Sequence, residues 1–335
     1  MAAPPRLSLA HLPTPLEPAP RFSSEMTPGV QVWIKRDDCT GLAFGGNKAR
    51  KLEFLMASAR EAGADTVVTF GGVQSNHTRM AAAAARRLGL DCHLILAGSP
   101  PEETTGNLLL NRLLGATLSF MSLTPPELTA KRVEDAFMAA EEHLRIKGRR
   151  PFRIGPGGST PLGVLGYHAG FEEVMGQAAR AGARFSRVIV AFGTGGTLAG
   201  LVLGNMLADR PVKVTGISVA PAGMPEALGV QPAWSLVSQA AALMGRDVVI
   251  DERGIEVLYD YAGDAYAAPT TEGMEAIRAL ARTEGIFLEP VYTAKAMAGL
   301  IDLCRKKEIA GGEQVLFIHT GGTPGLFAYH RMLAR

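Results

Sequence analysis

Lys48 is the residue whose sequence context best suits covalent chemistry. It follows the segment Gly45-Gly-Asn47 and precedes a stretch with helical periodicity. A lysine in the first turn of a helix lies at the positive end of the helix dipole, which lowers the pKa of its ammonium group. A lysine with a lowered pKa can form a Schiff base or remove a proton. The alternative is a solvated basic face shared with Arg50 and Lys51.

One loop has the composition of a phosphate-binding turn, with three glycines, two hydroxyls and no bulky side chain. Its residues are Gly193, Thr194, Gly195, Gly196 and Thr197. A β-branched run precedes the loop and a helical run follows it, so its backbone N–H groups would lie at a helix N-terminus, where anions bind. The alternative is a plain tight turn.

This loop does not match the common nucleotide motifs. The fingerprint GxGxxG fails because Leu198 stands in place of the third glycine, and no GxxxxGK[ST] sequence occurs. The chain also lacks the HExxH zinc signature and the GxSxG nucleophile elbow, and we expect no metal site. Sugar phosphates, nucleotides and pyridoxal phosphate (PLP) remain open as ligands of the loop.

Two further groups of residues could contact a ligand. Ser75, Asn76 and His77 lie at the start of a predicted helix, where Ser75 is either a simple N-cap or a hydroxyl that helps to bind a carboxylate. His77 fits a structural role equally well. Tyr266 and Tyr292 each lie in a proline-containing loop before a helix. A tyrosine there can stack on a ring, transfer a proton or simply pack half-buried.

The composition is that of an ordinary globular protein. Of the 335 residues, 47% are hydrophobic, which excludes a disordered chain. The net charge is only +2, so the composition does not indicate the basic surface that binds nucleic acid. This length favours two lobes. Three widely spaced cysteines suit a reducing cytoplasm, and the N-terminus has no signal-peptide pattern. The uncharged segment 188–208 is broken by the glycine loop, so it predicts a strand and a helix rather than a membrane span.

Short β-branched runs alternate with helical runs along the whole chain. This alternation predicts an α/β fold with parallel sheets, in which ligands bind at the carboxyl ends of the strands. The predicted strands cover 65–70, 91–97, 116–121, 187–192, 212–219 and 314–319. The predicted helices cover 75–88, about 107–114, 126–146, a stretch from 197, 270–284 and 293–306.

The motifs taken together resemble the D-cysteine desulfhydrase / 1-aminocyclopropane-1-carboxylate (ACC) deaminase family of PLP enzymes, which also includes L-cysteate sulfo-lyases. The resemblance runs from about Pro13 to Tyr329. It rests on six motifs in the family's order, namely Lys35-Arg-Asp-Asp38, Gly45-Gly-Asn-Lys-Ala-Arg-Lys-Leu-Glu53, Gln74-Ser-Asn-His77, Gly193-Thr-Gly-Gly-Thr197, Pro290-Val-Tyr292 and His319-Thr-Gly-Gly322.

The resemblance implies PLP fold type II, the fold of the tryptophan synthase β subunit. Such a fold has two open, twisted, mostly parallel sheets flanked by helices. It implies a large PLP-binding domain formed by residues 1–48 and 162–335, a small domain formed by residues 49–161, and PLP in the cleft between them. A cytoplasmic homodimer is expected, with a small amino acid as substrate and with no nucleic-acid or membrane partner.

The resemblance also implies a role for each candidate residue. Lys48 would form the Schiff base with PLP and remove the Cα proton. Lys51 and the 193–197 loop would hold the phosphate. Asn76 would bind the ring hydroxyl, and Ser75 with its neighbours Asn76 and His77 would bind the substrate carboxylate. Tyr292 would stack on or face the ring with Tyr266 near the substrate, and Thr320 would meet the pyridine nitrogen.

Two positions distinguish the branches of this family. ACC deaminases have a glutamate after the Pro-Val-Tyr tyrosine and a leucine before the last glycine pair, whereas this chain has Thr293 and Thr320, as in the desulfhydrases. The expected reaction is therefore β-elimination, of which conversion of D-cysteine to pyruvate, sulfide and ammonia is favoured. L-cysteate sulfo-lyase and then ACC deaminase are the alternatives. A non-catalytic protein that binds a phosphate ligand would leave the Gly-Gly-Asn-Lys and Pro-Val-Tyr motifs unexplained.

Overall fold

Ten strands form two separate sheets in the computed structural model, which describes residues 4–122, 127–248, 250 and 255–334. The larger sheet contains β1 (Leu16–Pro18), β2 (Gln31–Arg36), β7 (Phe185–Phe192), β8 (Lys213–Ser218), β9 (Glu256–Leu258) and β10 (Gln314–His319). Its strand order is β1-β2-β10-β7-β8-β9, and β1 alone among these six runs antiparallel to its neighbour.

The smaller sheet is entirely parallel. It contains β3 (Thr66–Gly72), β4 (Asp91–Ala97), β5 (Thr117–Met121) and β6 (Pro151–Ile154), in the order β5-β4-β3-β6. The strands of this sheet come from one continuous stretch of chain, inserted between β2 and β7 of the larger sheet.

Helices cover both sheets. They are α1 (Pro20–Met26), α2 (Lys48–Glu61), α3 (Asn76–Arg87), α4 (Gly106–Leu113), α5 (Ala130–Ile146), α6 (Pro161–Ala181), α7 (Gly196–Met206), α8 (Met224–Ala227), α9 (Ala233–Leu243), α10 (Thr271–Glu284), α11 (Thr293–Arg305), α12 (Pro324–Ala328) and α13 (His330–Leu333).

Alternation of side chains along the strands divides the core into layers. In β7, Val188 and Val190 pack with residues of α6, α7 and α9, whereas Ile189 packs with residues of α1, α10 and α11 on the opposite face. In the smaller sheet, Val67 faces α2 and α3, and Val68 faces α5. Each sheet is therefore buried on both faces, as is typical of parallel sheets.

The predicted α/β organisation and the predicted strand and helix cores are confirmed, with ends that shift by a few residues. The predicted helix over 126–146 is found over Ala130–Ile146, and residue 126 lies outside the described part of the chain. The uncharged segment 188–208 forms β7, the glycine loop and α7, and no helix of the described residues is long and apolar enough to cross a membrane. The glycine pair at 45–46 does not directly follow a strand, because a 3-10 turn at Asp37–Cys39 comes after β2.

Helix α6 was not predicted, although it is 21 residues long. Glycines interrupt its sequence and lower its intrinsic helix propensity. One of them, Gly166, packs directly against α2. A Cβ atom at this position would lie only 2.4 Å from the carbonyl oxygen of Arg50, so no larger residue fits. This close approach fixes the position of α2 against the larger sheet, and α2 carries both candidate lysines.

Candidate active site

A cavity of about 590 Å³ lies where the carboxyl ends of the strands from both sheets converge. Residues that follow β3, β4, β7, β8 and β10 line it. Twelve of the residues singled out in the sequence lie in its wall: Lys48, Lys51, Ser75, Asn76, His77, Gly193, Thr194, Gly195, Thr197, Tyr266, Tyr292 and Thr320. The remaining one, Gly196, lies behind the loop surface, and its N–H donates to the Ser159 hydroxyl at 3.1 Å.

Lys48 is the first residue of α2, as the sequence predicts. The turn before it is held by Asn47, whose side-chain amide donates to the Thr197 hydroxyl at 2.9 Å and whose backbone N–H donates to the Thr320 carbonyl at 3.0 Å. Burial lowers the pKa of Lys48 to about 8. Within the described residues its ammonium group makes no hydrogen bond or ion pair, so it remains available to a ligand.

The first turn of α2 is anchored by a buried ion-pair cluster. Arg50 donates from two nitrogens to Asp37, each at 2.8 Å, and also pairs with Glu173 of α6 at 2.9 Å. The pKa of Asp37 is low because, although burial opposes ionisation, the Arg50 charge and hydrogen bonds outweigh that penalty. Arg50 therefore belongs to a structural cluster, whereas Lys48 and Lys51 of the same helix face the cavity.

The 193–197 loop and Lys51 lie together at one end of the cavity. Gly195 adopts a left-handed conformation at the N-cap of α7. A Cβ atom on Gly196 would lie 2.6 Å from the Ser159 hydroxyl oxygen and 2.9 Å from the Lys51 nitrogen, so only glycine fits there. The Thr194 and Ser159 hydroxyls are 2.8 Å apart. A helix N-terminus, hydroxyls and an ammonium group thus meet at one end of the cavity, and this donor set suits a phosphate.

Lys51 is fully buried and has no carboxylate partner within the described residues. Its Nζ donates to the Gly157 carbonyl at 3.3 Å and to the Ser159 hydroxyl at 3.4 Å. Burial, with a further contribution from the Lys48 charge, holds the pKa of Lys51 well below its usual value. A buried cation without a counter-charge is costly, and a bound anion would offset that cost.

Local hydrogen bonds hold the side chains of Ser75 and His77 at the start of α3. The Ser75 hydroxyl accepts from the backbone N–H groups of His77 at 3.2 Å and Thr78 at 3.4 Å, which is the N-cap geometry the sequence allowed. The His77 ring is buried, and burial holds its pKa well below the usual range, so it is neutral. Its Nε2 lies 2.9 Å from the Thr69 hydroxyl. These contacts establish structural roles for Ser75 and His77, and their predicted roles toward substrate stay predictions.

Two tyrosines, Tyr266 and Tyr292, form part of the cavity wall. The hydroxyls of Tyr266 and Tyr292 form a short hydrogen bond, and their rings meet edge to face at 6.0 Å. Burial raises the pKa of both phenols. The pair therefore carries its protons at neutral pH, and one hydroxyl proton remains available to a third group.

Backbone contacts fix both tyrosines. The buried Glu289 carboxylate accepts from the backbone N–H groups of Val291 and Thr293, each at 2.9 Å, and so shapes the turn that presents Tyr292. Burial raises the pKa of Glu289 to about 7. Buried Lys295 donates to the carbonyls of Val219 at 3.0 Å and Ala262 at 2.6 Å, and so ties the end of β8 to the loop that carries Tyr266.

Thr293 and Thr320 occupy different environments. The Thr293 hydroxyl is fully buried, where it accepts from the backbone N–H of Glu289 at 2.8 Å. Thr320 follows β10 directly and lines the cavity. Of the two branch-marking threonines, Thr320 is thus the one placed to meet a ligand.

Sequence reasoning missed several residues that build the site. Asn47, Ser159, Arg79 and Asn107 make side-chain hydrogen bonds to residues of the cavity wall. Asn47 lies inside a motif that was singled out and Arg79 follows another by two residues, so adjacency could have suggested them. Ser159 and Asn107 come from loops and helices distant in sequence, and only the fold brings them to the site.

These residues fit PLP. The glycine loop with Lys51 suits its phosphate, Lys48 suits its aldehyde, and the open space between them suits its ring. Within the described chain, His, Cys, Asp and Glu side chains form no cluster of three or more that could hold a metal ion.

Comparisons with known proteins define the class. Residues 7–321 match the family model described as pyridoxal-phosphate dependent enzyme. The chain is 42% identical over 325 residues to a Pyrococcus abyssi (strain GE5 / Orsay) protein that carries the provisional name 1-aminocyclopropane-1-carboxylate deaminase, covering 97% of this chain and 94% of that protein. It is 40% identical over 332 residues to a D-cysteine desulfhydrase of Salmonella paratyphi C (strain RKS4594), covering 97% and 96%.

Solved structures of other proteins superpose on most of this chain. The crystal structure of an ACC deaminase homologue superposes with a TM-score of 0.87 at 40% identity, covering 98% of this chain and 95% of that one. A threonine deaminase from Solanum lycopersicum superposes with a TM-score of 0.64 at 21% identity, covering 92% and 79%, and it shows the shared fold type II. The chain belongs to the ACC deaminase / D-cysteine desulfhydrase family of PLP-dependent enzymes.

The lowered pKa of Lys48 predicts how the apoenzyme captures PLP. Only the neutral amine attacks an aldehyde, so the capture rate should rise about tenfold per pH unit below pH 8 and level off above it. Stopped-flow absorbance, recorded between about pH 7 and 10, measures this rate. A rate that keeps rising to the usual lysine pKa of 10.5 would contradict the assignment.

Proposed function

We propose that this enzyme catalyses β-elimination on a small amino acid, with D-cysteine as the preferred substrate. The overall reaction converts D-cysteine and water to pyruvate, hydrogen sulfide and ammonia. The observation that carries this proposal is the charge of the cavity wall. Among the described residues that line the cavity, the cationic side chains are Lys48 and Lys51, and both are assigned to PLP.

The chain's own residues divide the work as follows. PLP, when bound, supplies the electron-withdrawing ring that makes the Cα proton acidic. Lys48 holds the cofactor and then accepts the Cα proton at Nζ. The N-terminus of α3, with Ser75, Asn76 and His77, binds the substrate carboxylate. The Tyr266–Tyr292 pair lies beside the substrate and can donate a proton to the leaving sulfur.

Thr320 is proposed to meet the pyridine nitrogen. A hydroxyl favours protonation of that nitrogen less than a carboxylate does, so the ring would be a moderate electron sink. Such a sink suits elimination of a good leaving group such as sulfide. Tyr292 is proposed to face the ring, and the five residues 193–197 with Lys51 are proposed to hold the phosphate.

The same cavity disfavours L-cysteate. Its sulfonate adds a second permanent negative charge, which needs a cation in addition to the carboxylate site. His77 is neutral, and Asp264 adds an acidic group to the described wall. A substrate with an uncharged β-substituent is therefore the better match.

ACC is disfavoured by the position after Tyr292. A glutamate is typical of ACC deaminases there, whereas Thr293 hydrogen-bonds to the backbone of Glu289 and offers no acid. ACC is therefore the second alternative, after L-cysteate.

Product analysis separates the three substrates. The purified holoenzyme is incubated with D-cysteine, L-cysteate or ACC, and sulfide, sulfite and 2-oxobutanoate are measured. We expect sulfide and pyruvate from D-cysteine, with a kcat/KM at least about 100-fold above that for L-cysteate, the difference expected for an unpaired charge. L-cysteine serves as the stereochemical control. Sulfite or 2-oxobutanoate as the dominant product would replace the proposal with the corresponding alternative.

We further propose the organisation expected of this family. Residues 49–161 would form a small domain around the four-stranded sheet, and residues 1–48 with 162–335 would form the large domain. The enzyme would act as a cytoplasmic homodimer without nucleic-acid or membrane partners. Sedimentation of the holoenzyme tests the dimer directly.

A further inference from the structure

Arg79 is a buried arginine without an acidic partner. It lies in the first turns of α3 and is fully buried. Its guanidinium group makes no ion pair with a carboxylate in the described parts of the chain, and its Nε has no hydrogen-bond partner there. Burial lowers the pKa of Arg79 to about 10, so it keeps its charge at neutral pH. Arginines this deeply buried are normally paired, so this charge calls for an explanation.

The contacts that Arg79 does make all lead to the cofactor site. Its Nη1 donates to the side-chain oxygens of Asn107 at 2.7 Å and Asn76 at 3.2 Å. Its Nη2 donates to the Gly45 carbonyl at 2.8 Å, in the turn that leads to Lys48. One side chain thus connects the amide at the start of α3 with the turn at the start of α2.

These contacts fix which way the Asn76 amide points. A guanidinium group has only donors, so the Asn76 oxygen must face Arg79. The Asn107 amide donates to the same oxygen at 2.9 Å, and Arg79 in turn fixes the orientation of Asn107. Because two donors hold its oxygen, the Asn76 side chain has its amide nitrogen left to donate a hydrogen bond to a ligand in the cavity.

We propose that Arg79, with Asn107, is a positioning residue that keeps Asn76 a hydrogen-bond donor toward the ring oxygen of PLP and places a buried positive charge near that oxygen. The inference rests on the proposed role of Asn76. Without Arg79 the amide is free to flip, and a flipped amide would present its oxygen to an electron-rich ring oxygen. The positive charge proposed to lie near the ring oxygen would be lost as well.

The test is cofactor binding by apoenzyme variants, followed by the visible absorption of bound PLP. Arg79→Met should weaken PLP binding by about tenfold or more, the effect of losing hydrogen bonds from a charged group. Arg79→Lys keeps the charge without the planar fork, so its affinity should lie between that of Arg79→Met and the wild type. Asn107→Ala should weaken binding in the same direction.

Two controls distinguish a positioning role of Arg79 from a general loss of stability. Asn111 lies one turn along α4 from Asn107, is equally buried and donates to Thr78 rather than Asn76. Asn111→Ala should lower the melting temperature but leave PLP affinity unchanged. The second control is a PLP analogue with hydrogen in place of the ring hydroxyl. Its affinity should be nearly the same in wild type and Arg79→Met.

Three results would overturn the proposal. They are unchanged PLP affinity in Arg79→Met, an equal loss of affinity for PLP and for the analogue, and an equal loss in Asn111→Ala. If Arg79→Met does not fold, Arg79→Lys and Asn107→Ala provide the same comparison. An enzyme that binds PLP normally but does not convert D-cysteine would refute the proposed reaction and leave this inference intact.

Discussion

Replacing Lys48 with alanine should abolish turnover while leaving the fold intact. The side chain is partly buried and makes no hydrogen bond among the described residues, so its loss removes little packing. The same change removes both the covalent link to PLP and the group that accepts the Cα proton. General-base catalysis alone is worth about 100- to 10,000-fold, so we expect pyruvate formation to fall by at least about 1000-fold.

The measurement is pyruvate release from D-cysteine, together with the absorption spectrum of the variant in PLP. Lys131→Ala is the matched control, because Lys131 is an exposed lysine near the start of α5 that pairs with Asp135. It should match the wild type in both assays. Turnover near the wild-type rate in Lys48→Ala would refute the assignment of Lys48, whatever the identity of the substrate.

Replacing Lys51 with methionine should have opposite effects on the apoenzyme and on cofactor binding. In the absence of an anion, the Lys51 amine is buried with only long contacts to Gly157 and Ser159, and its low pKa reflects the cost of charging it there. Methionine removes this poorly hydrogen-bonded buried polar group, so apoenzyme stability should be unchanged or higher by about 1–3 kcal/mol. PLP should bind roughly 10- to 100-fold more weakly, because a charge-assisted hydrogen bond to the phosphate is lost.

Thermal unfolding of the apoenzyme and PLP titration measure the two effects. Lys35→Met is the control, since Lys35 is equally buried but pairs with Glu173. That variant should lose stability, because it leaves a carboxylate without one of its partners, and should keep its affinity for PLP. A Lys51→Met apoenzyme less stable than the wild type, with unchanged affinity for PLP, would show that Lys51 is structural.

The parts of the site that are formed by residues adjacent in sequence could be predicted from the sequence. The turn before Lys48 and the 193–197 loop are each a glycine-containing segment followed by a helix. Residues of both segments line the cavity. Ser75 was predicted as a cap for the same reason, because capping involves residues two and three positions away.

The remaining parts depend on contacts between distant segments. Ser159 reaches Thr194 only because α6 packs against α7, and the glycine-rich sequence of α6 gave no helix signal. Arg79 and Asn107 meet across 28 positions of chain, which no local pattern encodes. A buried arginine also looks like any exposed arginine in the sequence, because burial is a property of the fold.

The position of β10 has a consequence for synthesis on the ribosome. This strand is the last of the ten described strands in chain order, yet it lies in the larger sheet between β2 and β7, and Thr320 follows it at once. The four-stranded sheet, by contrast, is complete once residue 154 has emerged. Domains fold as they leave the ribosome, so the smaller sheet can form during translation, while the larger one must wait for its central strand. The Thr320 edge of the cavity is therefore the last to be built, and the nascent chain can complete its cofactor site only after residue 320 has emerged.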